Sequence, residues 1–236
     1  MHIIQEIRKS FHDHITRSPT FAAFAFKTGV GDYAEHDQFI GVSMPNLRKI
    51  ATAFSQIAIS EIHYFLSSKI NEERVFALLV LINRYQKSTK KDELYSFYME
   101  NLQYINNWNL IDLSAPLIVG HHLYDKKRDI LFTLADSHHW WKRRIAIVST
   151  LYFIRKNDLK YTFQIAELLL RDTHELLHKG TGWMLREAGK KEKEALLKFL
   201  NIYAAYMPRT MLRYAIEKLD RTEKAFYMKK TAITFE

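Results

Sequence analysis

Turn formers are too scarce in this chain for anything but a helical fold. Seven Gly and four Pro are spread over 236 residues, and no stretch sustains the apolar/polar alternation that a half-buried strand needs. Apolar residues recur instead at three- and four-residue spacing, beginning with Ile3, Ile7, Phe11 and Ile15, which is the pattern of a helix with one buried face. That first helix is expected to end before Ser18-Pro19. Residues 20–45 read as the irregular part. Lys27-Thr28-Gly29-Val30-Gly31-Asp32-Tyr33 supplies the breakers, and Ile40-Gly41-Val42-Ser43-Met44-Pro45 leads into a helix with Pro45 in its first turn. Gly29 and Gly31 do not make a phosphate cradle, because no third Gly, no Gly-Lys-Ser/Thr and no flanking strand accompany them.

From Pro45 onward the pattern is repetitive. Glu73-Arg74-Val75-Phe76-Ala77-Leu78, Lys142-Arg143-Arg144-Ile145-Ala146-Ile147, Lys179-Gly180-Thr181-Gly182-Trp183-Met184 and Arg209-Thr210-Met211-Leu212-Arg213-Tyr214-Ala215 are loosely related. With Ala77, Ala115, Ala146, Gly182 and Ala215 as markers, the steps are 38, 31, 36 and 33 residues, the length of a helix pair. Small residues suit places where stacked helices approach closely. The expectation is an all-α chain, an α-solenoid of stacked helix pairs forming one domain over residues 1–236, with basic residues at equivalent places lining a concave face. A hydrophobic share of 47% is ample for such a core.

Charge narrows the partner. Thirty-five Lys and Arg against 26 Asp and Glu leave +9 and a pI near 9.5, which favours a polyanion, nucleic acid ahead of an anionic membrane surface. The absence of Cys excludes a disulfide framework and thiolate metal sites and fits a reducing compartment. Met-His-Ile-Ile-Gln-Glu-Ile-Arg-Lys is not the apolar start of a signal peptide, and no stretch is long enough to span a bilayer. A cytoplasmic protein is expected. His121-His122, His138-His139 and His174/His178 raise the question of metal. The last pair has i, i+4 spacing and, as His174-Glu175-Leu176-Leu177-His178, fits His-Glu-x-x-His, but no third ligand is obvious. No metal and no cofactor are expected.

One stretch stands out, Ile105-Asn106-Asn107-Trp108-Asn109-Leu110-Ile111-Asp112-Leu113-Ser114-Ala115-Pro116-Leu117-Ile118-Val119-Gly120. As a helix it places Trp108 and Asp112 four residues apart on one face, while Leu110, Ile111, Leu113 and Leu117 cover the other side. An indole and a carboxylate would then share a surface.

In order along the chain, Phe26-Lys27-Thr28-Gly29, Gly41-Val42-Ser43-Met44-Pro45, Asn107-Trp108-Asn109-Leu110-Ile111-Asp112, Trp141-Lys142-Arg143-Arg144, His178-Lys179-Gly180-Thr181-Gly182-Trp183-Met184-Leu185-Arg186-Glu187 and Met207-Pro208-Arg209-Thr210-Met211-Leu212-Arg213 together resemble the DNA alkylation repair family of AlkD-like glycosylases. The resemblance spans Phe21 to Leu219. It implies HEAT-like helix pairs holding duplex DNA, and hydrolysis of the N-glycosidic bond of N3- and N7-alkylated purines without a base-flipping pocket. By the same resemblance Trp108, Asp112, Arg144 and Trp183 are catalytic, and Ser43, Arg143, Lys179, Arg209 and Arg213 contact DNA. A monofunctional enzyme without a lyase step is implied, and a monomer is expected because a solenoid of this size needs no partner to fold. The chain departs from the family pattern at Asn109, at Gly180-Thr181 and at Ser43. A catalytically silent HEAT-like DNA-binding or scaffold protein is the competing reading.

Overall fold

The computed structural model describes residues 2–230, the side chains of Phe21, Ala22 and Ala25 excepted. Among the described residues no strand forms. Only two isolated bridges, Ile15 with Val42 and Gln38 with Ile70, set extended segments side by side. The chain divides into two compact units, Met1–Ser114 and Ala115–Glu236.

The first unit is built around a buried helix. It contains α1 (His2–Asp13), α2 (Pro19–Phe26), α3 (Met44–Ala53), α4 (Ile59–Leu66), α5 (Asn71–Lys87), α6 (Lys91–Glu100) and α7 (Trp108–Ser114). Every residue of α5 from Asn71 to Ile82 is buried, because α3, α4, α6 and α7 all pack against it. Phe11, Phe65 and Phe76 meet edge to face at 5.2–6.1 Å, the arrangement that ring quadrupoles favour. The α2 helix corrects the expectation that residues 20–45 are irregular. Pro19 starts it at the first helical position, and Lys27 ends it in the left-handed conformation, φ 53°. Its sequence, Pro-Thr-Phe-Ala-Ala-Phe-Ala-Phe, is apolar nearly all round, so no helical period marks it. The irregular segment is therefore shorter, Thr28 to Ser43. At Gly41, φ is +89° and a Cβ would stand 2.0 Å from the Arg17 carbonyl oxygen, so only glycine fits there.

The helix expected over 105–120 is also modified. A 3-10 turn covers Leu102–Tyr104, α7 begins only at Trp108, and Pro116–Gly120 is a π turn. Proline has no N–H for the carbonyl four residues before it, and the Gly120 N–H reaches the Ala115 carbonyl five residues back at 2.9 Å. Leu110 and Ile111 are buried as expected, whereas Leu113 and Leu117 are only half-buried.

The second unit runs from that π turn through α8 (His121–Leu123), α9 (Asp129–Ala135), α10 (Trp140–Arg155), α11 (Lys160–Leu168), α12 (Glu175–Lys191), α13 (Lys193–Tyr203), α14 (Arg209–Ala215) and α15 (Arg221–Lys229). The π turn lies on α10, α10 on α12, and α12 on α14. These neighbours run in the same sense. Gly120 faces Ser149 and Tyr124 faces Phe153; Gly182 faces Met211 and Arg186 faces Glu217. Parallel neighbours require the chain to return between them, and α9, α11 and α13 make the return, which is the two-helix unit read from the repeat. A Cβ on Gly120 would lie 2.2 Å from the Ser149 carbonyl oxygen, and one on Gly182 would lie 2.4 Å from that of Met211. The marker residues Ala115, Ala146 and Ala215 are likewise buried.

Candidate functional site

In the first unit, Trp108 is the first residue of α7 and Asp112 stands one turn later, both half-buried. Trp108 is held on two sides. Its indole stacks on Phe26 with ring centres 5.0 Å apart and planes 11° from parallel, and its Nε1–H donates to the Tyr33 hydroxyl at 3.1 Å. Phe26 ends α2 and Tyr33 lies in the irregular segment, so the residues after Pro19 serve to seat this indole.

What seats the irregular segment in turn is a buried polar cluster that periodicity does not show. The Asp37 side chain is fully buried. It accepts from Asn71 Nδ2 at 2.8 Å and from Asn107 Nδ2 at 2.7 Å, and it pairs with Arg74. Arg74, itself 3% exposed, also donates to the Asn106 side chain. Asn109 Nδ2 donates to Asn71 Oδ1 at 2.7 Å, so this departure from the family pattern has a structural partner. Beside them Glu72 accepts the N–H groups of Gly41 at 2.8 Å and Ile40 at 3.1 Å, and Glu73 pairs with Arg8 at 2.7 Å. Burial pushes the Glu72 carboxyl up from its ordinary value, with those N–H groups opposing. Burial likewise pulls the Arg74 guanidinium down, against the Asp37 charge. The first turn of α5, Asn71-Glu72-Glu73-Arg74, is thus a clamp joining the irregular segment to the start of α7. Four polar residues opening a helix that is apolar from Val75 to Ile82 were the signal available in the sequence, since such groups are buried only when paired.

Ser43 precedes α3 without making a side-chain cap.

In the second unit Arg144 is 4% exposed, and its Nη1 donates to the Leu176 carbonyl on α12. Trp183, half-buried on α12, lines a hollow of about 380 Å³ with Leu151, Ile154, Arg155, Glu187, Lys190 and Lys191. Lys190 is paired with Glu187 at 2.8 Å. Arg143 bonds Asp172 and the Ser137 carbonyl at 2.5 and 2.8 Å, tying down the turns before α10 and α12. Lys179 pairs with Glu175 at 2.8 Å. Arg209 donates to the Met228 and Lys230 carbonyls at 2.6 and 3.1 Å, closing the end of α15. Arg213 is exposed and forms no ion pair among the described residues.

The histidine pair of α12 is part of the scaffold. His174 Nδ1 accepts the Leu176 N–H at 3.2 Å as a helix cap and its ring stacks on Trp140 at 3.6 Å, while His178 Nε2 donates to the Asp172 carbonyl. Burial lowers the His174 pKa from its ordinary value, with nearby cations adding to the effect and Asp172 opposing it. Among the described residues, no group of three or more His, Asp or Glu is placed to hold a metal ion, and no helix is long and apolar enough to cross a membrane.

Stacked helix pairs carrying an indole and a carboxylate one turn apart define a class of all-helical protein. The particular family follows from comparison. The model of the DNA alkylation repair enzyme family matches residues 8–219, so the chain belongs to that family. A search of curated proteins finds no match. Among solved structures, a predicted DNA alkylation repair enzyme from Enterococcus faecalis superposes with a TM-score of 0.68 at 16% identity, covering 88% of this chain and 98% of that one. At that identity the likeness is one of fold. A role in the repair of alkylated DNA follows from the family.

Proposed function

We propose that this protein is a monofunctional DNA glycosylase that hydrolyses the N-glycosidic bond of N3- and N7-alkylated purines in duplex DNA. The observation that carries the reading is the pair on α7, Asp112 one turn from a Trp108 fixed by Phe26 and Tyr33. Alkylation at N3 or N7 makes the purine cationic, so it leaves as a neutral base and needs no general acid. The protein has only to stabilise positive charge developing on the sugar.

The Asp112 carboxylate supplies a full negative charge for that purpose and a site to position water. Preorganised groups of this kind are worth on the order of 10²- to 10³-fold in rate. Indole faces attract cations by about 0.5–2 kcal/mol. With Phe26 on one face of Trp108, the deoxyribose would meet the other. In the second unit, Trp183 gives a second aromatic surface beside Arg155, Lys190 and Lys191, suited to a sugar with flanking phosphates. Arg144 acts as a fixed positive charge, in keeping with its burial. Exposed Arg213 and the +9 net charge support attraction to duplex DNA, bound by a monomer.

The test is single-turnover release of 7-methylguanine from a duplex carrying one lesion, wild type against Asp112→Asn. Release by the wild type should fall on the order of 10²-fold or more in the variant, with duplex affinity retained. Binding without release of either 7-methylguanine or 3-methyladenine would make the protein a silent DNA-binding member of its family.

A further inference from the structure

Three glycines interrupt α12, at positions 180, 182 and 189, and each meets something different. A Cβ on Gly182 would strike backbone at Met211, and one on Gly189 would strike the Leu196 side chain. Gly180 has neither contact. A Cβ there would stand 2.8 Å from Arg144 Nη1, 3.4 Å from its Cζ and 3.8 Å from its Nη2, the first closer than carbon and nitrogen pack without bonding. Gly180 has no positive φ and lies inside a helix that continues to Lys191, so no turn calls for glycine. Alanine would be the better helix former there.

The same Nη1 donates to the Leu176 carbonyl, whose helical partner is the Gly180 N–H four residues on. A carbonyl oxygen has two lone pairs and takes both donors. The guanidinium can reach the second one only across the surface that a side chain at 180 would cover. The cation is 4% exposed, so it has little room to retreat.

We infer that Gly180 is a positioning residue: its missing side chain opens the slot on α12 in which the Arg144 guanidinium lies. The inference deepens the functional reading by assigning what sets the place of its fixed cation, and in that respect it rests on that reading. The alternative role for a glycine inside a helix is to loosen it, here the helix presenting Trp183. A loosening residue and a slot make opposite predictions for Gly180→Ala. Removing looseness should leave Arg144 undisturbed; filling the slot should displace it.

The experiment compares wild type, Gly180→Ala, Arg144→Ala and the double variant. Arg144 Nε–Hε is followed by nitrogen-15 NMR, with its peak assigned by its loss in Arg144→Ala, and release of 7-methylguanine is measured in single turnover. The expected result is a shifted Arg144 peak in Gly180→Ala and a release rate lower by roughly tenfold to a hundredfold, as small misplacements of functional groups produce. In the Arg144→Ala background, adding Gly180→Ala should cost no further activity and should raise the melting temperature. An unmoved Arg144 peak, or the same rate loss with and without Arg144, would overturn the inference. Where the wild type releases no base, the peak alone decides, so the slot can stand while the glycosylase reading falls. Should Gly180→Ala fail to fold, a folded double variant supports the slot and an unfolded one overturns it.

Discussion

The two units place the candidate site residues in opposite ways. The first places Trp108 with an irregular segment, and that segment is held by charge: Asp37, Arg74 and two asparagine amides are buried together at the start of α5 and α7. The second places Arg144 and Trp183 on regular parallel helices, held close by the side chains that Gly120, Gly180 and Gly182 lack. Irregular backbone leaves N–H and C=O groups without helical partners, so polar groups must follow it into the core. Regular helices satisfy their own backbone, and only shape then decides how near they come.

Substitutions in the two units should accordingly fail for different reasons. The largest effect is expected at Asp37. Asp37→Ala leaves Arg74 buried without its counter-charge and should cost about 3–5 kcal/mol in urea unfolding. Hydrogen exchange should rise at Asn71–Arg74 and at the start of α7 before it rises in α10 or α12. A loss below 1 kcal/mol, or uniform loosening of both units, would break the contrast. Next comes Gly182→Ala, whose Cβ would meet the Met211 carbonyl at 2.4 Å and Tyr214 Cβ at 2.5 Å. Overpacking of this kind costs roughly 1–3 kcal/mol, outweighing the better helix propensity of alanine, and a stabilised variant would show that shape is not limiting there.

Phe26→Ala sharpens the account of the first unit. It removes the stack under Trp108, worth about 0.5–1.5 kcal/mol beyond buried area. Indole fluorescence should shift to the red and base release should slow while Asp112 remains; unaltered emission and rate would leave Tyr33 as the sole support of the ring.

The smallest effect is a pH dependence in the second unit. Burial holds the His174 pKa below its ordinary 6.5, so the unfolded chain takes up a proton first as the pH falls. The stability contributed by the neutral cap is complete above that ordinary value and is lost as the pH drops through it toward the folded value. Melting temperature should therefore decline as the pH falls below about 7, with His139, shifted in the same direction by burial, adding to the slope. His174→Asn keeps a capping acceptor without titrating and should reduce the slope. An unchanged slope would assign it elsewhere.

Residue by residue, what could be read without coordinates was whatever depends on near neighbours. The four-residue period of Ile3, Ile7 and Phe11 is a local property and α1 follows it, but the helix ends at Asp13, so Ile15 falls beyond it and is 44% exposed. Trp108 and Asp112 share a helix because they are four residues apart, and small residues at repeat intervals mark buried positions on stacked helices. The apolar α2 escaped because a helix without a polar face has no period to detect. Asp37 escaped because its partners Asn71, Arg74 and Asn107 lie 34 to 70 residues away, and nothing in the spacing of Glu35-His36-Asp37-Gln38 points to them. Arg143 and Arg209 are expected to contact DNA; that they also hold loop or helix-end carbonyls could not be read from spacing, being set by where those chain ends arrive.

The sequence by itself determined the helical class, the two-helix repeat, the basic character and the Trp108/Asp112 pair, since composition and spacing within a few turns are enough for each. Tertiary structure alone decided that Phe26 and Tyr33 hold the indole, that Asp37 and Arg74 are buried together, and that Gly180 makes room for Arg144. Those outcomes depend on which surfaces meet once the helices have packed, and the cost of an unpaired buried charge or an overlapping carbon exists only after they have met.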